Sequence, residues 1–163
     1  ANTFGGSVSV LNSTRALIYA SGDLTLGSIR VDSATPVDNN IQSNGGNIIL
    51  GGDVDLTDTG GGASSDLNLT ASSGTITQSS GSITARDIDA SASATVSLSD
   101  DGNVATGSVS LSGVDVTFAS DQALLLGEGL QHEGRRRQRQ RLGHRQEASK
   151  GRLPRRGLAE GKM

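Results

Sequence analysis

Aliphatic residues alternate with small polar residues along most of the chain. In eight short runs a Val, Ile, Leu or Phe alternates with Ser, Thr, Asp, Asn or Gly, over residues 7–10, 23–26, 53–56, 66–69, 74–77, 96–99, 109–111 and 115–118. Alternation with a period of two residues buries one face of a strand and leaves the other in water. Gly, Asn, Asp or Ser follows the runs and ends them. The pattern predicts short β-strands and disfavours helix throughout this region.

The runs recur at a regular interval. Segments 3–22, 23–46, 47–66, 67–87, 88–107 and 108–127 are nearly equal in length, except that the second is longer than the others. A fixed period of about 20 residues is typical of a solenoid. The Leu and Asn frame of a leucine-rich repeat is absent, whereas two or three short strands per coil with polar turns suit a parallel β-helix. The sequence predicts an all-β, right-handed parallel β-helix of about six coils over residues 1–127.

The composition agrees with a narrow interior. The chain of 163 residues contains 23 Gly and no Cys or Trp, and its aromatic residues are Phe4, Tyr19 and Phe118. A coil pairs with its neighbours about 4.8 Å away, so its inner column holds Val, Ile, Leu and Ala, and outward Ser and Thr form polar ladders. Solenoids need caps, and no cap is evident. We therefore expect a fragment of a longer rod.

Two stretches are expected to leave the regular coil. The excess length of segment 23–46 falls around residues 34–40, where Pro36 cannot donate a hydrogen bond to a strand ladder. Residues 60–65 form a second, glycine-rich turn. Insertions in solenoids map to loops on one face. The sequence predicts a surface loop at 34–40 that could contact a ligand.

Several strings resemble the repeats of a known family. Residues 39–48, 67–71, 73–85 and 107–111 are similar to the repeat region of filamentous-haemagglutinin-like adhesins, which are exported by Gram-negative bacteria through two-partner secretion or autotransporter routes. The resemblance covers roughly residues 1–127 and lacks the secretion domain of that family. It implies an extracellular or cell-surface rod that attaches to a host-cell or surface receptor, such as a glycan, after passing an outer-membrane transporter. It also implies that the chain is not an enzyme and does not insert into a membrane.

The search for catalytic or ligand-binding residues yields no candidate site. Residues 1–127 contain no His, Cys, Glu or Lys, so their Ser residues lack a conventional base. Asp100 with Asp101, and Asp53 with Asp55, are the acidic pairs that a polysaccharide-cleaving β-helix could use. Arg15, Arg30 and Arg86 are scattered along the chain. We interpret the Asp residues as turn and strand-start residues, and predict no catalytic, cofactor-binding or metal-binding residue.

Other binding patterns are present only in part. Residues 51–55, Gly-Gly-Asp-Val-Asp, hint at a calcium-binding nonapeptide repeat, but the tandem pattern is missing. The Thr75-Ile76-Thr77 string is a single instance and does not build an ice-binding array. A carbohydrate-active enzyme, a polysaccharide lyase or hydrolase, remains the alternative function. A co-facing Asp pair or triad in a groove with Arg would favour it, and a uniform Ser/Thr surface would favour the adhesin.

Residues 128–163 differ from the preceding residues in charge and in the kinds of charged residue that they contain. Residues 1–127 carry 13 Asp and 3 Arg, a net charge of -10, whereas residues 128–163 carry 4 Glu and 11 Lys or Arg, a net charge of +7. We predict an unstructured basic tail. A third function, nucleic-acid binding, would depend entirely on this tail, which has no aromatic residues for base stacking. We therefore do not expect nucleic acid to be a partner, unless residues 128–163 belong to the native protein.

A shifted reading frame explains the tail better. With CGN codons for Arg, reading residues 131–141 one base later allows Ser-Thr-Lys-Ala-Val-Asp-Val-Asn-Val-Ser, which restores the alternation of the preceding repeats. The alternating Arg and Gln residues would then come from codons for an alternating strand sequence that are translated in the wrong frame. We hypothesise a frameshift near residues 127–131.

Overall fold

The computed structural model describes residues 2–58, 65–122 and 125–126, which form strands and turns and no helix. No helix in this part of the chain could therefore span a membrane. The fifteen strands are β1 (Val8–Ser13), β2 (Leu17–Ala20), β3 (Leu24–Val31), β4 (Asp38–Ser43), β5 (Ile48–Leu50), β6 (Val54–Asp55), β7 (Asp66–Ala71), β8 (Ile76–Gln78), β9 (Ile83–Ala85), β10 (Ile88–Ala92), β11 (Thr95–Leu98), β12 (Val104–Ala105), β13 (Ser108–Ser112), β14 (Asp115–Phe118) and β15 (Leu125–Leu126).

The strands stack into three parallel faces. Face A consists of β2, β4, β7, β10, β13 and β15. Face B consists of the first half of β3 followed by β5, β8, β11 and β14, and face C of its second half followed by β6, β9 and β12. Strand β1 pairs with β3 along both halves. Successive coils add rungs to the same faces, which confirms the predicted parallel β-solenoid.

The solenoid lies within a compact unit that spans Ala1–Gly127. Residues 128–163, for which we predicted an unstructured tail, lie outside the described residues.

Parallel pairing places like residues directly above one another in the interior. On face A the inward ladder runs through Ile18, Ile41, Leu69, Ala90 and Leu111. On face B it runs through Leu24, Ile48, Ile76, Val96 and Val116. The first four residues of each ladder are buried. These are inward positions of the kind that the alternating runs predicted, and aliphatic contacts between rungs form one continuous core.

The aromatic residues lie where the narrow interior predicts. Phe4 and Phe118 are only partly buried and pack against the core from residues near the start and end of the solenoid. Tyr19 is 49% exposed on the outer side of β2. None of the three is fully buried. Phe118 continues an inward column of face B, since it pairs in register with the buried Leu98, but it does so on β14, the last strand of that face, where it is only partly covered.

Side chains continue the ladder where the strands turn. Between faces A and B, the Asp23 carboxylate accepts the backbone N–H of Asn47 at 2.8 Å. The Asn47 side-chain oxygen in turn accepts the backbone N–H of Thr75 at 2.9 Å. Between faces B and C, the Asp53 carboxylate accepts the backbone N–H of Ser82 at 2.9 Å. Carboxylate and amide oxygens thus satisfy donors that the turning backbone leaves unpaired.

Glycines stack at the same corners because the backbones approach closely. A Cβ on Gly74 would lie 2.5 Å from the carbonyl oxygen of Gly46. A Cβ on Gly81 would overlap the carbonyl carbon of Gly52, and Gly81 also has a φ of +78°. The left-handed conformation and the contact both require glycine at position 81.

The number and length of the coils differ from the prediction. Among the inward residues of face A, the widest interval along the chain separates Ile41 from Leu69. The longest coil is therefore the one between β4 and β7, and its extra residues precede β7, whereas the sequence placed the largest excess around residues 34–40. The six rungs of face A bound five complete coils, fewer than predicted.

The predicted loop at residues 34–40 was also placed too far along the chain. The connection ends at Val37, and residues 38–40 belong to β4. Asn39 is fully buried: its side-chain oxygen accepts the N–H of Ala16, and its amide donates to the carbonyl of Asp66. A polar residue is stable at this inward position because both of its hydrogen-bonding groups are satisfied.

We expect Gly81→Ala to lower the free energy of unfolding by about 2 kcal/mol or more, since the new Cβ meets backbone and the φ value strains an alanine. Gly22→Ala is the matched control, because a Cβ there meets nothing within 4 Å, and it should change stability by less than about 0.5 kcal/mol. Urea unfolding followed by circular dichroism measures both. Equal losses in the two variants would contradict the proposed backbone contact.

Candidate functional site

The most irregular part of the solenoid is the corner between faces C and A, named here the C–A corner. Two residues make this turn between β9 and β10 and again between β12 and β13. The same turn is longer in the earlier coils: residues 32–37 connect β3 to β4, and residues 56–65 connect β6 to β7. Residues 59–64 of the second connection lie outside the described part. The two long connections belong to consecutive coils, and each joins a strand of face C to a strand of face A.

Hydrogen bonds tie the two connections together at their ends. The backbone N–H of Val37 donates to the Ser65 hydroxyl at 3.3 Å, and the Val37 carbonyl accepts the N–H of Asp66 at 2.9 Å. Within the first connection the buried Ser33 hydroxyl donates to the Thr35 carbonyl at 2.7 Å. Thr35 and its neighbours form an exposed tip on an anchored base.

The three arginines of residues 2–122 all contact this corner or the strands beside it. Arg15 donates through Nε to the carbonyl of Asp38 at 2.9 Å. The Nη1 atom of Arg30 lies 3.0 Å from Oδ2 of Asp55, in an exposed ion pair on face C. Arg15 lies before the first rung of face A and Arg86 before the fourth. The arginines therefore stay spread along the solenoid, as their scattered positions in the sequence suggested, and each contacts its own acidic residue or carbonyl.

Arg86 holds two carboxylates at the corner. Its Nε and Nη2 atoms donate to the two oxygens of Asp66 at 2.8 and 2.5 Å, and Nε also contacts Asp87 at 3.2 Å. The backbone N–H of Ser108 donates to Asp87 Oδ1 at 2.5 Å. That backbone hydrogen bond is the main reason why the pKa of Asp87 is lowered, with Arg86 contributing further. The hydrogen bond to Asp66 raises the pKa of Arg86 in return.

This arrangement favours an ionised, structural carboxylate at Asp87. A general acid for glycoside cleavage needs a raised pKa, and the pKa of Asp87 shifts in the opposite direction. A bidentate arginine on Asp66 also occupies both oxygens of that carboxylate. The pair is therefore arranged to clamp successive rungs and is poorly suited to donating a proton to a substrate.

The acidic residues that the sequence singled out accept hydrogen bonds from the turns and strands around them. Asp53 accepts the N–H of Ser82 in the next coil, and Asp55 binds Arg30 and the N–H of Thr57. Asp100 accepts the N–H of Gly102 within one turn. These contacts agree with the interpretation of Asp as a turn and strand-start residue. Among the described residues, no group of three or more His, Cys, Asp or Glu is placed to hold a metal ion.

A buried amide pair was not predicted. Asn103 is fully buried, and its side chain exchanges hydrogen bonds of 2.8 and 2.9 Å with Gln78. The Asn103 oxygen also accepts the N–H of Ile83 at 2.9 Å. The pair closes the corner between faces B and C in the last coils. The sequence could have indicated this pair only by showing that the side chain of residue 103 points inward. That orientation depends on the length of the turn between β11 and β12.

Comparison with known proteins adds no further constraint. No protein-family model matches the chain, and neither a curated protein nor a solved structure matches it.

Asp87→Asn is expected to remove part of the acid sensitivity of the fold. Because the folded-state pKa of Asp87 lies below its ordinary value, this group stabilises the fold above that ordinary value and loses the contribution as pH falls through the lowered pKa. The free energy of unfolding of the variant should therefore decline less steeply below about pH 4. Urea unfolding at a series of pH values measures the slope.

Asp89→Asn is the control for this measurement, since it removes an exposed carboxylate from the adjoining strand. If Asp89→Asn flattened the acid dependence as much as Asp87→Asn, the clamp formed by Ser108 and Arg86 would not be its cause.

Proposed function

We propose that this chain is part of the rod of a filamentous adhesin, exposed at the surface of a Gram-negative bacterium or released from it. The observation that carries the proposal is the chemistry of the outer surface. The outward positions of faces A and B are mostly Ser, Thr, Asn and Gln in register, while the carboxylates at the corners bind arginine or backbone N–H groups. Such a surface suits a repetitive scaffold that displays ligand contacts at intervals along its length.

The architecture also suits export through an outer-membrane pore. Each coil pairs mainly with its neighbours, so a solenoid of this kind can fold coil by coil as it emerges. The chain contains no Cys, so no disulfide has to form or be avoided during passage. These features support the resemblance to two-partner secretion exoproteins, with an outer-membrane transporter as the partner during secretion.

A carbohydrate-active enzyme is the second candidate, and one observation favours it. Asp66 and Asp87 lie on neighbouring rungs with Arg86 between them. The lowered pKa of Asp87 and the bidentate contact to Asp66 argue for a structural role of the group. We therefore place the adhesin first.

The full chain, immobilised on beads, is expected to adhere to epithelial cells, whereas heat-denatured chain on identical beads should not. Asp66→Asn and Asp87→Asn should leave adhesion unchanged, since the proposal gives these residues a structural role. Bead counts per cell measure adhesion, and release of reducing sugar from polysaccharides tests the enzyme. Polysaccharide cleavage that Asp66→Asn and Asp87→Asn abolish would reverse the order of the two candidates.

We also propose that residues 128–163 are a translation product of a shifted frame and do not provide a nucleic-acid-binding arm. The gene, read one base later from the end of the solenoid, should encode aliphatic alternation at the same repeat interval as the preceding coils. Sequencing the gene from an independent isolate tests this. An early stop codon in the shifted frame, or a shifted frame without alternation, would exclude the hypothesis.

A further inference from the structure

The outer side of face A changes character along the solenoid. Two outward ladders follow the register of this face. The first contains Leu17, Asn40, Asn68, Asp89 and Ser110. The second contains Tyr19, Gln42, Thr70, Ser91 and Ser112. The last two rungs are therefore an acid and small hydroxyls, while the first three combine an aromatic ring, an aliphatic side chain and amides.

Tyr19 and Leu17 form a small exposed apolar pair. They are 49% and 48% exposed, and they lie two residues apart on β2, on the same side of the sheet. The tyrosine presents a ring and a hydroxyl to solvent at a position where the other rungs of the ladder carry polar side chains without a ring. Nothing in the packing of the core requires this ring, since Ile18 and Ala20 supply the inward contacts of the strand.

The amides beside the ring retain hydrogen-bonding capacity. The side chains of Asn40 and Asn68 make no hydrogen bond to other described residues. Gln42 donates its amide to Asn44 at 2.6 Å and keeps its oxygen as an acceptor. An exposed carboxylate, Asp38, begins the same strand as Asn40.

We propose that Tyr19 and the amides of the next two rungs form a binding site for an uncharged oligosaccharide. The C–H groups of a pyranose ring would stack on the tyrosine ring, and its hydroxyls would exchange hydrogen bonds with Asn40, Gln42 and Asn68. The inference rests on the proposed adhesive function and names the class of its ligand.

The size and charge of the patch decide among possible occupants. Three rungs span about 10 Å, and the two ladders lie roughly 7 Å apart, which accommodates two adjacent sugar rings. A stable protein interface buries about 800 Å² on each partner, far more than two apolar side chains provide. The patch formed by Tyr19 and the amides carries no charged side chain. At its edge Arg15 contacts Asp38, so that opposite charges offset each other there, and a neutral ligand matches the patch better than a sulfated or sialylated chain.

The chain supplies its own reporter for this site. Tyr19 is the single tyrosine, and tryptophan is absent, so tyrosine fluorescence of the full chain reports on this residue alone. The probes are cellohexaose, maltohexaose and chitohexaose, with sialyllactose and a heparin oligosaccharide as charged comparisons. At least one neutral probe should change the emission in a saturable manner, and neither charged probe should bind more tightly.

Calorimetry with the neutral probe that binds then tests the residues. Tyr19→Ala should weaken binding about tenfold or more, whereas Tyr19→Phe, which keeps the ring, should stay close to the parent. Ser112→Ala, at the far end of the same ladder, is the matched control and should have no effect. Both positions point outward, and unchanged circular dichroism establishes that each variant is folded. Failure of every neutral probe to bind, tighter binding of a charged probe, or full affinity in Tyr19→Ala would overturn the site.

Cell adhesion separates this inference from the proposed function. If beads carrying the chain adhere to cells and no neutral sugar binds, the glycan site is wrong and the adhesive role stands. If a neutral sugar binds at Tyr19 but the beads do not adhere, the adhesive role is wrong and the site stands. Adhesion that the neutral sugar inhibits, and that Tyr19→Ala loses, supports both.

Discussion

Every feature of this solenoid depends on the vertical register between one coil and the next. A single coil has too little apolar area to bury its own inward residues, so its stability comes from parallel pairing with its neighbours. That pairing fixes which residue lies above which. Once Ile41 lies over Ile18, the rest of face A follows, and an aliphatic residue is favoured wherever the ladder points inward. The same register aligns the outward positions, which carry no packing requirement and are free to hold polar or ligand-binding groups.

The corners have a different requirement, because the chain changes direction there and cannot continue the strand ladder. The structure meets it with side-chain oxygens that accept the N–H of the coil above, as Asp23 does for Asn47 and Asp87 does for Ser108. Close approach of the backbones requires glycine, as at Gly81. Asp, Asn and Gly are therefore abundant for a reason unrelated to catalysis or metal binding. The same chemistry accounts for the lowered pKa of Asp87, which a search for active sites could mistake for a functional signal.

The sequence predicted the strands well, but it predicted less well which residues of different coils lie next to each other. Alternation with a period of two is a local property, so inward residues such as Leu24 and Leu69 could be assigned from their own strands. Which coil a residue lies in depends on the length of every preceding connection. The long connection before β7 shifted the register without disturbing any local pattern. The Arg86 clamp, the buried Asn103 and the neighbours of Tyr19 all depend on this long-range register, and no local pattern contained them.

This division between local and long-range information also bears on where function can be sought in a solenoid. Inward ladders and corner residues are constrained by packing and by backbone donors, so departures there, such as buried Asn39, are accounted for by hydrogen bonds within the fold. Outward ladders are not constrained in this way, so a group of outward side chains that differs from the rest of its face is the place to look for a ligand contact. Asp66, Asp87 and Asp55 are engaged by arginine or backbone groups. The ring of Tyr19, by contrast, is not needed by the core. The ring together with the amides of the next two rungs gives this part of face A a chemistry that the short hydroxyl side chains farther along the face lack.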